Sequence, residues 1–250
     1  TMISGPQFTP TAFKQETIVA PGFSGGVEWG GGALDPTTNT YVVNSNVIPQ
    51  IYTLVPRADA DKKYGDKLRA PDGYAAQQGS AYGFKLENFL NMWGMPCWEP
   101  PYGTLSSYDM NTGKLNWKKP LGVVQKWGFY MPDSWGSITI GAPAITKSGL
   151  IFIGASMDSR VRAIDMKTGN VLWKQIVDAP AVAQPAIYTF KGKQYVAFAV
   201  GDFPGLADDF AGGKLLAEHL LEVAAAPHAL LEDGLESEGI QHRGSESGQT

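Results

Sequence analysis

The sequence predicts an all-β chain built from four-stranded antiparallel blades, and three observations carry that prediction. Residues 141–177 hold four short apolar runs, 143–146, 150–155, 161–164 and 171–177, separated by Lys147-Ser148-Gly149, Met157-Asp158-Ser159 and Lys167-Thr168-Gly169. Each separator is a plausible tight hairpin, so the stretch reads as one complete blade. The signature inside it, Asp165-x-x-Thr168-Gly169-x-x-x-Trp173, recurs as Asp109-x-x-Thr112-Gly113-x-x-x-Trp117, every position shifted by the same 56 residues (165 minus 109, 173 minus 117). Such a period is blade-sized. The chain also carries 30 glycines and 17 prolines in 250 residues, as a turn-dense β protein should. One blade cannot bury both faces of its sheet, so repeats of this kind close radially, and the expectation is a partial β-propeller.

The repeat has a mechanical reading. The Asp carboxylate accepts backbone N–H groups of the turn, Gly supplies a positive φ, and Trp leaves the outer strand as a large apolar anchor.

In chain order, residues 1–16 are polar, and 16–20 read as a short strand, the outer strand of a preceding blade. Residues 23–33 are a glycine-rich entry without the spacing or strand-to-helix setting of a phosphate loop. Residues 33–44 form a hairpin turned by Asp35-Pro36 and Asn39. From Ser45 to Gly103 the pattern breaks into a long insert, placed between the second and third strands of the first full blade and expected to cover a propeller mouth. Residues 104–110 and 115–120 complete that blade. Residues 184–190 and 194–200 are the first two strands of a further blade, turned by Lys191-Gly192-Lys193. Its other strands do not follow. After Gly201 the composition turns Ala/Leu/Glu-rich, 214–226 has the apolar spacing of an amphipathic helix, and 233–250 is polar, Gly/Ser-rich and expected to be disordered. The domain expectation is therefore a partial propeller over 1–201 with the insert 45–103, and an atypical tail over 202–250. That tail reads either as foreign to the fold, from a frame change, or as a native helical extension.

Several functions are disfavoured at this level. A net charge of −4 with no basic face argues against nucleic acid as a partner. The one cysteine, Cys97, permits no internal disulfide and no CxxC metal site. It reads as a packed thiol, since no histidine in 1–201 could activate it. The histidines, His219, His228 and His242, lie in the tail at spacings that match no common zinc pattern. No stretch approaches the roughly 18 apolar residues that cross a bilayer, and the opening Thr1-Met2-Ile3-Ser4-Gly5-Pro6 reads as the start of a cut piece. The aromatics Trp93, Trp98, Trp127, Tyr130 and Trp135 admit two readings, a lid on which a sugar stacks or the apolar cores of the loops that carry them; the second is preferred.

Four motifs in one order, the Asp-x-x-Thr-Gly-x-x-x-Trp repeat, Glu28-Trp29-Gly30-Gly31 followed by Asp35-Pro36, Pro96-Cys97-x-x-Pro100-x-x-Gly103, and Gly192-Lys193-Gln194-Tyr195-Val196, resemble the membrane-bound pyrroloquinoline quinone (PQQ) dehydrogenases, glucose and quinate/shikimate branch. The resemblance covers residues 5–201 and implies the last third of an eight-bladed propeller, about two complete blades and part-blades. It implies PQQ as cofactor and Ca²⁺ or Mg²⁺ in the complete enzyme. It further implies a sugar or cyclitol substrate, a membrane quinone as electron acceptor, and a place at the periplasmic face of the inner membrane. The implied reaction is alcohol oxidation, in which a base takes the hydroxyl proton and hydride passes to the quinone.

Carried over residue by residue, the resemblance puts cofactor contacts at Asn44, toward a quinone oxygen or carboxylate, and at Asp158, as an anion that orients a neighbouring cation or water. Each has a plainer alternative as a turn-capping residue. The family's catalytic aspartate, the lysine near the quinone and the metal ligands correspond to blades upstream of Thr1. Where glucose dehydrogenases carry a His-Gly, this chain has Asp202-Phe203-Pro204. The competing functional class is a non-catalytic propeller scaffold that binds proteins; such scaffolds have short regular loops, and the insert after Asn44 speaks for the enzyme. By itself the chain is expected neither to bind PQQ tightly nor to turn over substrate.

Overall fold

A computed structural model describes residues 1–64, 74–75, 77, 79–126, 128–201 and 219–224. In chain order its strands are β1 (Thr17–Val19), β2 (Gly32–Asp35), β3 (Thr40–Asn46) and β4 (Gln50–Pro56), then helix α1 (Arg57–Tyr64). Next come β5 (Tyr74–Ala75), β6 (Tyr82–Asn88), β7 (Gly103–Asp109), β8 (Lys114–Pro120), β9 (Gln125–Lys126) and β10 (Phe129–Tyr130). The chain continues through β11 (Ala144–Ile145), β12 (Leu150–Ile153), β13 (Arg160–Asp165), β14 (Val171–Ile176), β15 (Ala186–Phe190), β16 (Lys193–Val200) and β17 (His219–Ala224). It divides into two compact units, residues 27–46 with 100–250 and residues 1–26 with 47–99.

The first of these units is built of blades. Strands β2-β3-β7-β8 form one four-stranded antiparallel sheet and β11-β12-β13-β14 another. Both contain the same irregularity at the repeat offset, a register shift between Ser107 and Tyr108 in one and between Ala163 and Ile164 in the other. The alternation of β-strand side chains assigns the two faces of the second blade. Ile151, Ile153 and Ile164 join Val42, Leu105 and Leu121 of the first blade in one buried cluster. Phe152, Val161 and Ala163 join Val196, Phe198 and Val200 of the third sheet in another. Two-sided burial is the reason these strands read as continuous apolar runs.

The signature residues do what their chemistry suggests. Asp165 accepts from the Thr168 N–H at 2.6 Å and the Thr168 hydroxyl at 2.8 Å, and Asp109 accepts from the Asn111 N–H and the Thr112 hydroxyl. Trp117, leaving β8, lays its indole over Gly169 of the next blade's turn and donates its Nε1–H to the Met166 carbonyl at 3.0 Å. Gly169 has φ +67°, and a Cβ there would come within 2.7 Å of the indole. Trp173, in the equivalent place on β14, packs against the cluster shared with the third sheet.

Two expectations are corrected here. Residues 214–226 were expected to form a helix, yet 219–224 pair antiparallel with β16, from Tyr195↔Ala224 to Val200↔His219. The second strand of an incomplete blade leaves a row of unpaired backbone donors and acceptors, and pairing with it outweighs local helix propensity. The remainder of the tail lies outside the described residues.

The second correction concerns the other unit, which is not a loop. Within 45–103, strands β4, β6 and β5 form a sheet, with β1 as the fourth strand, in the order β1-β4-β6-β5. Strand β1, read as the edge of a preceding blade, pairs instead with β4, Thr17 opposite Tyr52. Buried Gln50 helps fix this unit, accepting the Phe23 N–H and donating to Asn88 Oδ1 at 3.1 Å. Edge-on packing of Tyr52 on Phe84, with centroids 5.0 Å apart, adds apolar contact. Tyr82, Phe84 and Leu86 alternate with Gly83, Lys85 and Glu87 along β6, a period-two pattern that the sequence reading passed over.

Candidate functional site

Strand β3 pairs with β2 over its first half only, so from Asn44 onward one side of the strand is left to other partners. On its other side β3 pairs with β7 along its whole length, Asn44 opposite Leu105 and Asn46 opposite Gly103. Gly103 is obligatory there, since a Cβ would fall 1.7 Å from the Ser137 carbonyl oxygen. That close approach lays residues 137–139 along the strand end.

Asn44 and Asn46, two residues apart, share a face of β3, and both reach the fully buried Thr139. Asn46 is held at both ends by the Thr139 backbone, its Oδ1 accepting the N–H at 2.9 Å and its Nδ2 donating to the carbonyl at 2.7 Å. The Thr139 hydroxyl donates to Asn46 Oδ1 at 2.9 Å and accepts from Asn44 Nδ2 at 2.9 Å. Asn44 is 2% exposed, and its Oδ1 has no hydrogen-bond partner among the described residues. Glu28 approaches Asn46 from the chain before β2. Its carboxyl lies above the usual carboxylate range because burial outweighs the Asn46 hydrogen bond.

Thr139 also bridges to Ser156, at the end of β12. From there the polar contacts continue to Asp158, the second residue named from sequence. The Ser156 hydroxyl donates to its Oδ1 at 2.5 Å, the Val123 N–H donates to its Oδ2 at 3.1 Å, and the Arg162 guanidinium pairs with both oxygens. Asp158 and Arg162 side chains are 0% and 6% exposed. Its carboxylate is thus engaged within the protein, oriented on a cation that is Arg162. No hydrogen bond joins Asp158 to Asn44; the Thr139–Ser156 bridge is what links their surroundings.

Sequence reading passed over Asn46, Thr139 and Arg162, and named Glu28 only as part of a motif. The i, i+2 spacing of Asn44 and Asn46 was the available signal for a shared face. Thr139, 93 residues from Asn46 in sequence, carried none. Of the aromatics, Trp135 packs edge-on against buried Tyr102, while Trp93, Trp98 and Tyr130 are exposed and Arg160 lies 4.9 Å over the Tyr130 ring. Trp127 lies outside the described residues. Cys97 is a half-buried free thiol. Among the described residues no group of three or more His, Cys, Asp or Glu could hold a metal ion.

Antiparallel blades locked by a tryptophan on the neighbouring blade's turn define a propeller-type fold, with a buried carboxamide left one partner short at a strand end. The chain belongs to the family described as PQQ glucose/ethanol/alcohol dehydrogenase, β-propeller domain, whose model matches residues 1–196. It is 35% identical over 211 residues to the glycerol dehydrogenase large subunit of Gluconobacter thailandicus, covering 78% of this chain and 28% of the relative. It is 34% identical to the quinoprotein glucose dehydrogenase of Escherichia coli (strain K12), covering 78% and 25%. The quinate/shikimate dehydrogenase (quinone) of Acinetobacter baylyi is 33% identical, with 72% and 24% covered. The chain spans about a quarter of the length of these relatives.

Proposed function

We propose that these blades belong to a PQQ-dependent dehydrogenase that oxidises a hydroxyl of a polyhydroxylated substrate, of the glycerol, sugar or quinate type, and passes the electrons to a membrane quinone at the periplasmic face. Support comes from the family and from relatives whose names give glycerol, glucose and quinate or shikimate. The spread of those names leaves the glucose and quinate branch as one part of the proposed range.

The observation that carries the reading is the unpartnered Oδ1 of buried Asn44. Leaving such an acceptor unsatisfied costs about 1–3 kcal/mol, which a ligand group would recover. The carboxamide suits PQQ in either sense. As it stands Oδ1 accepts; turned by half a rotation, with the Thr139 hydroxyl reversed to donate inward, it presents Nδ2 to a quinone oxygen or carboxylate. Asn44 is therefore the residue proposed to hold the cofactor. Asp158 acts at one remove, fixing Arg162 and the Val123 backbone. PQQ, when bound, supplies the hydride acceptor, with Ca²⁺ or Mg²⁺ as Lewis acid. This chain's share is to orient the ring system and to exclude water from its edge.

The test is a PQQ titration of the full-length protein that carries this segment, followed by absorbance. Asn44→Ala is expected to weaken PQQ binding about tenfold or more, while Asn44→Asp, which cannot donate and adds a negative charge beside an anionic cofactor, should weaken it further. Unchanged affinity in both variants would refute the assignment.

A further inference from the structure

Thr139 stands between the two asparagines and is tied to both by the same buried hydroxyl. Its backbone is fixed from two sides. On one it bridges to Ser156 at the end of β12, with the neighbouring Ile140 N–H donating to the Ala155 carbonyl at 2.9 Å. On the other it grips both ends of the Asn46 carboxamide at 2.9 and 2.7 Å. Those two bonds satisfy Asn46 whether or not the Thr139 hydroxyl also donates to it. The hydroxyl hydrogen can therefore turn between Asn46 Oδ1 and Asn44, since a hydroxyl donates to one neighbour and accepts from another. While it donates to Asn46 it must accept from Asn44 Nδ2, and Asn44 Oδ1 is the atom left without a partner. When it donates to Asn44 instead, with that amide turned half round, it holds Oδ1, and Nδ2 becomes the atom presented. One buried hydroxyl decides whether Asn44 offers an acceptor or a donor.

We propose that Thr139 is a positioning residue whose hydroxyl reverses when the cofactor binds, turning Asn44 from an acceptor into a donor. The proposal rests on the reading that Asn44 holds PQQ. The quinone oxygens and carboxylates of PQQ are acceptors, and Asn44 Oδ1, as the free chain presents it, would meet them acceptor to acceptor. Reversal leaves no acceptor of the group bare, because Asn46 Oδ1 keeps the Thr139 N–H and Asn44 Oδ1 gains the hydroxyl. Without that hydroxyl the Asn44 carboxamide loses the partner that fixes its sense, and the ligand alone has to order it.

The experiment is a PQQ titration of the full-length protein, followed by absorbance. It compares Thr139→Val, which keeps the shape and removes the hydroxyl, with Thr139→Ser, which keeps the hydroxyl, each alone and combined with Asn44→Ala. Thr139→Val is expected to weaken PQQ binding about three- to tenfold, and Thr139→Ser to stay within about twofold of wild type. In the Asn44→Ala background Thr139→Val should cost nothing further, because the residue it acts through is gone. Hydrogen exchange at the Thr139 amide, whose bond to Asn46 does not use the hydroxyl, reports whether the segment keeps its fold. If that protection is lost, Thr139→Cys, whose thiol donates and accepts only weakly, replaces the valine and should give a smaller loss of the same kind. With valine or cysteine alike, unchanged affinity overturns the proposal, as does a serine variant equally weak, or an undiminished loss beside Asn44→Ala. Asn44→Asp, which has no hydrogen to present in either sense, tests the reversal: retained affinity would mean that Oδ1 faces the ligand unreversed. If Asn44→Ala alone leaves PQQ affinity unchanged, the reading of Asn44 fails, and that result precedes any Thr139 variant.

Discussion

The contact that joins the first two blades can be tested by adding one methyl group. Gly169 and Gly113 occupy the same place in the two copies of the repeat and have the same backbone conformation, φ +67° and +68°. Replacing either by alanine imposes the left-handed-region penalty, about 1–2 kcal/mol. Their surroundings differ. A Cβ on Gly169 falls 2.7 Å from Cδ2 and Cε3 of Trp117, whereas one on Gly113 meets nothing within 4 Å. The indole cannot simply move away, because Nε1–H is tied to the Met166 carbonyl at 3.0 Å and the ring packs on the cluster of Val42, Leu105, Ile151 and Ile153. Relieving the overlap should therefore cost a further ~1–3 kcal/mol, the usual range for overpacking. In urea unfolding of the 250-residue chain, followed by tryptophan fluorescence, Gly113→Ala should lose about 1–2 kcal/mol and Gly169→Ala about 2–5 kcal/mol. Since the conformational penalty is shared, the difference isolates the docking contact. Equal losses at the two positions would refute the reasoning.

Trp117→Phe keeps most of the apolar surface but leaves the Met166 carbonyl without its donor, and the same unfolding assay should show a loss of about 1–2 kcal/mol; no loss would mean that water replaces the indole at no cost. Asp158→Ala abandons the buried Arg162 guanidinium and is expected to destabilise by about 3–5 kcal/mol, while replacing both partners by apolar residues of similar volume should restore much of this. The pH dependence has opposite signs at two carboxyls. Asp109, lowered by the Asn111 N–H and the Thr112 hydroxyl, stabilises the fold above its usual value of 3.8, and that contribution fades as pH falls through its depressed folded value. Glu28, raised above 4.5 by burial, favours the fold most below that value and loses this contribution as pH rises through its folded value. Glu28→Gln should therefore gain stability at pH 7 relative to wild type and gain none at pH 4, a difference that unfolding curves at the two pH values would show.

How much of this was legible in the sequence follows the range of the interactions. The hairpins of the second blade are encoded within about ten residues each, by apolar runs and by Asp, Thr and Gly at fixed turn positions, and the strands observed at 150–153, 160–165 and 171–176 fall within or within a residue of those runs. The repeat offset even carries the matching bulges at Ser107 and Ala163, although no local signal marks them. The insert was misread because its sheet borrows Thr17–Val19 from far earlier in the chain, and a strand whose partner is remote looks locally like a loop. Strand β17 shows the converse: its apolar spacing suits a helix, and only an unpaired neighbouring edge turns it into a strand. At the candidate site, Asn44 and Asp158 were both named through resemblance. The partners that distinguish them, Thr139 for one and Arg162 for the other, are set by which loops meet at the strand ends.

On the proposed function, that difference in partners is what separates Asp158 from the binding role given to Asn44 within one polar region. Asp158 and Asn44 are comparably buried, and a turn-forming residue was the simplest account of both. The Asp158 carboxylate has a hydroxyl, a backbone N–H and a guanidinium arranged around its two oxygens, a set that neutralises its charge and leaves little reason to bind anything else. Asn44 has half of its carboxamide satisfied and half not. The Nδ2 half of the amide serves folding through its bond to Thr139, and the Oδ1 half adds an unmet acceptor that folding alone does not reward. The unsatisfied oxygen is a cost that the chain carries, and under the proposed function a ligand removes it, which would tie the stability of this strand end to occupancy of the site. Ligand binding at Asn44 should then protect the backbone amides of 44–46 and of Thr139 from hydrogen exchange more than it protects the Asp158 turn, whose contacts are complete without it.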